Sequence, residues 1–164
     1  MYAPAIASGI PVARDPHRFI NDLDNGDVER LVDRLESRAR DEVFMRPFNA
    51  YAARLALFDA PMVLEVGCGT GAIARAIARR DGFEGSITGV DQSPAMVDHA
   101  TRLAHEAGLG SELKFEVHDA HDLEFEDGTF DIVIAHTLMS HVTDPKAVTV
   151  ELARVVRQGG AGVV

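Results

Sequence analysis

The sequence predicts an α/β fold built on a doubly wound parallel sheet. Three observations favour it. Short runs of β-branched and apolar residues recur from about residue 61 onward, helical stretches separate them, and glycine, proline and N-capping residues stand at the junctions. Alternation of strand and helix is typical of parallel sheets, and right-handed crossovers then place helices on both faces.

The N-terminal region predicts an irregular arm followed by helices. Three prolines before residue 25 disfavour regular structure there. Asn25 or Asp27 is expected to cap a helix that begins near Val28, where apolar residues recur at helical spacing. Pro47 is expected to interrupt it, and a second helix should cover about residues 48–58.

Five strands are predicted after that region, at the segments MVLEV, SITGV, ELKFEVH, FDIVIAH and AGVV. A glycine-rich loop and a helix follow the first strand. Ser93 and Asp144 each precede a proline, which is the arrangement of an N-cap and a first helical residue. Gly159 and Gly160 are expected to turn the chain into the fifth strand.

Composition and charge limit the functions to consider. Sixteen basic against 26 acidic residues give a net charge of −10, which disfavours general binding of nucleic acid. The single cysteine excludes an internal disulfide. No segment approaches the roughly 20 apolar residues of a membrane span, and the first residues do not resemble a signal peptide. We therefore expect a cytoplasmic protein without a membrane span.

The segment VLEVGCGTGA, residues 63–72, matches a loop that lets a backbone approach a nucleotide closely. Gly67, Gly69 and Ala72 satisfy G-x-G-x-x-A, and Asp91 follows the second strand, where it can take ribose hydroxyls. These features alone also fit NAD. Glu65 argues against NAD, because a carboxylate at the loop mouth would repel a pyrophosphate and attract an ammonium group.

An adenosine with a cationic tail satisfies these residues better, and S-adenosylmethionine (SAM) is such a molecule. Asp119 follows the third strand, where its carboxylate can accept the adenine amino group, and Ala120 can offer its backbone N–H. Gln92 and Met96 lie beside Asp91. Met96 fits a place in the helix core as well as one against adenine.

With these motifs, the sequence resembles the class I SAM-dependent methyltransferases. The similarity runs from Val63 to Val164, through VLEVGCGTG, VDQSPAMV, HDAHDLEFEDGTFDIVIA and ELARVVRQGG. It is similar to the small-molecule branch that includes ubiquinone and menaquinone biosynthesis methyltransferases. The resemblance implies a Rossmann-like domain over residues 61–164, preceded by an arm and helical cap over residues 1–60.

The resemblance also implies roles for individual residues. Glu65, Gly67 and Gly69 would surround the methionine portion, and His136 would lie by it or by the transferred methyl group. Cys68 lies in the same loop, and we favour a packing role over a nucleophilic one. The residues expected to bind the cofactor are Glu65, Gly67, Cys68, Gly69, Asp91, Gln92, Met96, Asp119, Ala120 and His136.

A catalytic residue is harder to select, because the cofactor itself carries the activated methyl group. His141 is the candidate general base, and the alternative is that it only packs or caps the segment before Pro145. A metal site formed by His118, His121 and their neighbours is a weak alternative, so no metal is expected.

The chain stops inside the fifth strand, whereas the resemblance implies seven in the order 3-2-1-4-5-7-6. We therefore expect a fragment of a longer protein. The exposed edge of the fifth strand would allow a homodimer. The expected function is methyl transfer from SAM to a small-molecule acceptor. The alternatives are an NAD-dependent oxidoreductase and a non-catalytic SAM-binding module.

Overall fold

The computed structural model describes residues 15–55, 57 and 59–164. The five helices are α1 (Asn25–Arg40), α2 (Glu42–Ala52), α3 (Ala72–Ala78), α4 (Pro94–Glu106) and α5 (Pro145–Val155). The five strands are β1 (Met62–Val66), β2 (Ser86–Asp91), β3 (Leu113–Val117), β4 (Phe130–Ile134) and β5 (Val156–Val163). A short 3-10 helix, Ile20–Asp22, precedes α1.

The strands form one sheet in the order β3-β2-β1-β4-β5, and every neighbouring pair is parallel. This confirms the predicted doubly wound α/β sheet. β2 and β3 lie on one side of β1, whereas β4 and β5 lie on the other. The loops that follow β1 and β4 therefore diverge at this point. Open sheets of this kind bind ligands at such a point, beyond the carboxyl ends of the strands.

Two apolar layers cover the faces of the sheet. Val63 and Ile77 belong to one buried cluster, which includes α3 and part of α2. Leu64 and Val148 belong to the other, which includes α5. Neighbouring residues of β1 thus face opposite sides, as the two-residue period of a strand requires. A third cluster joins α1 to α4 through Met96.

Proline and capping residues start α4 and α5 as predicted. Ser93 caps α4, and its side chain accepts a hydrogen bond from the Met96 N–H. Asp144 caps α5 by accepting from the N–H groups of Lys146 and Ala147. These signals depend only on local sequence, which is why they are readable there.

The predicted start and break of the N-terminal helices were wrong. Asp24, not Asn25 or Asp27, caps α1, and its carboxylate accepts from the Asp27 N–H at 2.8 Å. Pro47 lies inside α2 instead of ending a helix. A residue with a backbone N–H at this position would donate to the Val43 carbonyl. Val43 lies in the exposed first turn of α2, where water can donate to this carbonyl instead.

The predicted turn at Gly159 and Gly160 is instead part of β5. Phe130 pairs with Val156, and Ile132 pairs with Ala161. Between these two pairs β4 advances by two residues and β5 by five, so β5 contains three extra residues. An added Cβ on Gly160 would lie 2.6 Å from a backbone oxygen of β4. The glycines therefore allow a bulge within the strand.

No helix among the described residues is long and apolar enough to cross a membrane.

Candidate functional site

A cavity of about 580 Å³ lies beyond the carboxyl ends of β1 to β4. This volume is in the range of sites that bind small molecules or cofactors. All eleven residues predicted for cofactor binding or catalysis line it. The structure therefore brings together residues that are as many as 76 positions apart in sequence, from Glu65 to His141.

The glycine loop forms the floor of this cavity. Gly67 and Gly69 have left-handed backbones, with φ of 72° and 52°. The N–H groups of Gly67 and Cys68 both donate to the Val90 carbonyl, at 2.8 and 2.9 Å. An added Cβ on Gly67 would lie 2.7 Å from the side chain of Leu138, in the loop after β4. The two loops are thus in direct contact.

Asp91, the last residue of β2, holds the glycine loop from the other side. Its carboxylate accepts from the Gly69 N–H at 2.9 Å and from the Ser93 N–H at 3.0 Å. Burial raises the pKa of Asp91, although these backbone donors oppose the rise. Each carboxylate oxygen retains a lone pair for a ligand hydroxyl.

Glu65 occupies a different environment from the one predicted. It is buried, with 3% of its surface exposed, and it accepts from the Ala74 N–H of α3 at 3.0 Å. Burial raises its pKa to about 8, against the opposing effects of the Ala74 N–H and Arg75. Glu65 therefore holds its proton more tightly than an exposed glutamate does. A carboxyl with a raised pKa repels a pyrophosphate less, so this argument against NAD is weakened.

Cys68 and Met96 pack as well as lining the cavity. Cys68 is buried, and burial raises the pKa of its thiol, which disfavours a nucleophilic thiolate. Met96 is 1% exposed and packs with Leu31 and Val32 of α1. Gln92 connects the cavity to the N-terminal segment, because its Nε2 donates to the His17 carbonyl at 3.1 Å.

The loop after β3 contributes acidic, small and aromatic groups. One oxygen of Asp119 accepts from the backbone N–H of His121 and contacts its Nδ1 at 2.6 Å. Ala120 is partly buried beside the core. His118 stacks on Phe125 with 4.9 Å between ring centres, and its buried Nδ1 has no hydrogen-bond partner among the described residues.

That orphaned nitrogen bears on whether the site suits a polar ligand. A buried polar atom without a partner costs about 1–3 kcal/mol. His118 lines the cavity, so this buried nitrogen lies in a residue of the cavity wall. The site thus offers close approach to the backbone of the glycine loop, carboxyl groups and a histidine to one ligand, a set that fits a nucleoside.

The loop after β4 supplies both predicted histidines. Tyr51 Oη lies 3.2 Å from Nδ1 of His136, and burial lowers the pKa of His136. Nδ1 of His141 lies 2.7 Å from Oδ2 of Asp15. Among the described residues, no cluster of three or more histidine, cysteine or acidic groups has the arrangement of a metal site.

Comparison with known families assigns the fold. The profile of a family described as "Methyltransferase domain" matches residues 63–160. This match covers more than half of the chain. The chain belongs to the methyltransferase domain family.

Named relatives extend beyond this chain. A phosphatidylethanolamine N-methyltransferase of Cereibacter sphaeroides is 40% identical over 102 residues, which are 62% of this chain and 48% of that protein. A 2-methyl-6-phytyl-1,4-hydroquinone methyltransferase of Synechocystis sp. is 41% identical over 102 residues, covering 62% and 30%. The chain therefore spans half or less of the length of these curated relatives.

Solved structures agree on the fold of the methyltransferase domain. The cyclase SpnF superposes with a TM-score of 0.69 at 32% identity, covering 76% of this chain and 47% of that one. The YcgJ protein of Bacillus subtilis superposes with a TM-score of 0.64 at 28% identity, covering 68% and 46%. The match to a cyclase shows that this fold also occurs in a protein named for another reaction.

Several residues that line the cavity of this methyltransferase domain were not predicted. His17, Arg18 and Ile20 come from the N-terminal segment, and Arg38 and Phe44 come from α1 and α2. Their approach to the sheet depends on contacts between distant parts of the chain. No local pattern in the sequence indicates these residues.

Proposed function

We propose that this chain is the cofactor-binding part of a SAM-dependent methyltransferase that acts on a small molecule. The observation that carries this proposal is the single cavity beyond β1 to β4, lined by every residue predicted to contact the cofactor. Membership of the methyltransferase domain family supports the choice of cofactor.

The cavity offers a partner to each part of the cofactor. Gly67 and Gly69 leave room for the methionine portion close to the backbone, with Glu65 beneath it. Asp91 would hold the ribose hydroxyls through lone pairs that the loop N–H groups leave free. Asp119 and the backbone of Ala120 would hold adenine, beside the unpaired nitrogen of His118.

When bound, SAM supplies a methyl group that is already activated by a sulfonium centre. The chain's own residues then have to hold the acceptor in line, exclude water and receive any proton that the acceptor loses. Apolar side chains from the N-terminal segment, α1, α2 and the loop after β4 line the cavity and would limit the water around a bound acceptor. They are Ile20, Leu35, Phe44, Met45 and Leu138.

The names of the relatives support a small-molecule acceptor without selecting one. One is named for a phospholipid, another for a hydroquinone and a third, from Rauvolfia serpentina, for the alkaloid ajmaline. The net charge of −10 is consistent with this proposal and with the absence of a nucleic-acid substrate. We also propose a cytoplasmic location and a homodimer.

A second candidate is a protein that binds SAM without transferring its methyl group. The structural match to SpnF, which is named as a cyclase, favours keeping this candidate. NAD binding also remains a candidate, because the raised pKa of Glu65 weakens the argument from charge repulsion.

Calorimetric titration of the purified protein with S-adenosylhomocysteine, and in parallel with NAD, tests the proposal. We expect micromolar binding of S-adenosylhomocysteine and weaker binding of NAD. Binding of NAD alone would contradict the proposal. Binding of S-adenosylhomocysteine without methyl transfer by the full-length protein to any acceptor tried would favour the second candidate.

A further inference from the structure

We propose that Asp15 and His141 form a dyad in which His141 takes the proton of a phenolic hydroxyl on the acceptor and Asp15 positions its ring. This inference rests on the proposed function and deepens it. Asp15 lies outside the family match at residues 63–160, on a segment that sequence analysis did not connect to the site.

The first support is the geometry of the carboxylate. Oδ2 of Asp15 lies 2.7 Å from Nδ1 of His141, and its Oδ1 accepts from the His17 N–H at 2.9 Å. Both oxygens are engaged, so the orientation of the carboxylate is fixed. A carboxylate at Nδ1 holds the proton there and leaves Nε2 as the basic nitrogen.

The second support is that the same segment also holds the backbone of His141. Nε of Arg18 donates to the His141 carbonyl at 3.1 Å, and the His141 N–H donates to the Leu138 carbonyl at 2.8 Å. The rings of His17 and His141 are 4.5 Å apart. The ring, the backbone N–H and the backbone carbonyl of His141 are thus all held by hydrogen bonds. A histidine that only filled space would not need all three.

The third support is location. His141 lines the cavity and its side chain is 30% exposed, so a bound molecule can reach it. Nε2 makes no hydrogen bond to any residue that the structure describes. Leu138, three residues earlier, touches the position of Gly67, where the methionine portion is expected. His141 thus belongs to the wall of the cavity in which the cofactor is expected.

The charges around His141 are consistent with this role. Burial alone would raise the pKa of Asp15, but hydrogen bonds from His141 and His17 lower it below its usual value, so Asp15 is ionised at neutral pH. Burial, followed by the charge of His141, lowers the pKa of His17. Asp15, His17 and Arg18 are the titratable or charged groups that the described residues place in contact with His141.

A phenol is the acceptor that suits such a base. Its pKa of about 10 is close enough to that of an imidazole for useful proton transfer as the bond to the methyl carbon forms, whereas a neutral amine attacks through its lone pair and loses a proton only afterwards. The apolar cavity wall, including Ile20 and Phe44, suits an aromatic ring.

As the phenolic oxygen bonds to the methyl carbon, its proton passes to Nε2. The carbon–sulfur bond breaks, and its electron pair stays on sulfur. The imidazolium then releases the proton to water.

The dyad can be tested first without any turnover. Nitrogen-15 NMR of imidazole-labelled protein would follow the tautomer of His141, with its signals assigned by their loss in His141→Gln. We expect protonated Nδ1 in the neutral ring of wild type, and a larger share of the tautomer with protonated Nε2 in Asp15→Asn. Asp33→Asn, the same change on an exposed position of α1, should leave the tautomer unchanged. A proton on Nε2 in wild type, or an unchanged tautomer in Asp15→Asn, would overturn the dyad.

The proton-accepting role needs a second measurement. With S-adenosylhomocysteine bound, catechol and hydroquinone should each shift the Nε2 signal of wild type. No shift with either would overturn the assignment of a phenol. With radiolabelled SAM, a phenol that is methylated should show kcat reduced about 100-fold in His141→Gln and about 10-fold in Asp15→Asn.

The two levels of failure are distinguishable. If wild type does not bind S-adenosylhomocysteine, the proposed function fails, whatever the tautomer of His141. Suppose instead that wild type binds S-adenosylhomocysteine. If wild type, His141→Gln and Asp15→Asn then methylate a phenol equally fast, only the dyad fails. Unchanged affinity for S-adenosylhomocysteine in Asp15→Asn would show that the variant keeps its fold.

Discussion

The carboxylate of Asp91 accepts a hydrogen bond from the N–H of Gly69, at 2.9 Å and across 22 residues of sequence. This contact joins the end of β2 to the glycine loop after β1. It fixes the shape of the loop before any ligand is bound, and preorganisation of this kind reduces the entropic cost of binding.

Asp91→Asn is therefore expected to weaken cofactor binding. The amide retains one acceptor but replaces the other oxygen with a donor, which leaves one of the two backbone N–H groups unpaired. A loss of about 1–3 kcal/mol corresponds to roughly 10- to 100-fold weaker binding of S-adenosylhomocysteine in calorimetry. Asp98→Asn, an exposed change of the same charge on α4, is the matched control. Equal affinity in the two variants would contradict this role.

The buried carboxyl of Glu65 predicts a pH-dependent stability. An unfolded glutamate loses its proton near pH 4.5, whereas burial raises the pKa of folded Glu65 to about 8. Between these values the folded state binds one more proton, so this group makes the free energy of unfolding fall as pH rises from about 4.5 to 8. The effect is already complete above that range.

Glu65→Gln should remove this contribution, since the amide cannot titrate and can still accept from the Ala74 N–H. We expect thermal unfolding of the variant and wild type to be similar at pH 5. At pH 8 the variant should be more stable by about 1 kcal/mol or more. Parallel loss of stability in both proteins between these pH values would show that Glu65 is not the responsible group.

Local patterns account for the parts of the structure that were predicted. The glycine loop and the caps at Ser93 and Asp144 each depend on a few adjacent residues. Because the carboxyl ends of parallel strands share one edge, residues just after each strand could be expected to meet. That is why all eleven predicted residues line one cavity.

Contacts between distant segments account for the rest. Asp15 and His141 are 126 positions apart, and neither lies in a periodic pattern that indicates the other. The burial of Glu65 was also missed, because its neighbours on α3 and β2 lie next to it only after folding. Pro47 was misjudged because a helix tolerates a proline where the lost hydrogen bond can be replaced by water.

Gly67→Ala separates backbone strain from steric conflict in the cavity. Both Gly67 and Gly82 have left-handed backbones, with φ of 72° and 78°. An added Cβ would meet Leu138 at 2.7 Å in the first case and nothing within 4 Å in the second. Each change should cost about 1–2 kcal/mol of stability through its backbone. Only Gly67→Ala should also weaken binding of S-adenosylhomocysteine, and equal affinity in both variants would place the ligand elsewhere.

A buried ion pair connects α1 to the glycine loop. Arg75 is 6% exposed, donates to the Thr70 carbonyl, and pairs with both oxygens of Glu36 at 2.7 and 2.8 Å. Removing one partner from a pair of this kind leaves the other charge buried without compensation, which is strongly destabilising.

Glu36→Gln is therefore expected to lower the free energy of unfolding by about 3 kcal/mol in urea titrations, because Arg75 loses its carboxylate partner. Glu106→Gln is the matched control, since Glu106 pairs with Arg102 on the exposed surface of α4 and should change stability little. The loop that Arg75 supports should also bind S-adenosylhomocysteine more weakly in Glu36→Gln at a temperature where the variant is folded. If the two variants are equally stable, the pair does not hold α1 against the loop, and water must reach Arg75 in solution.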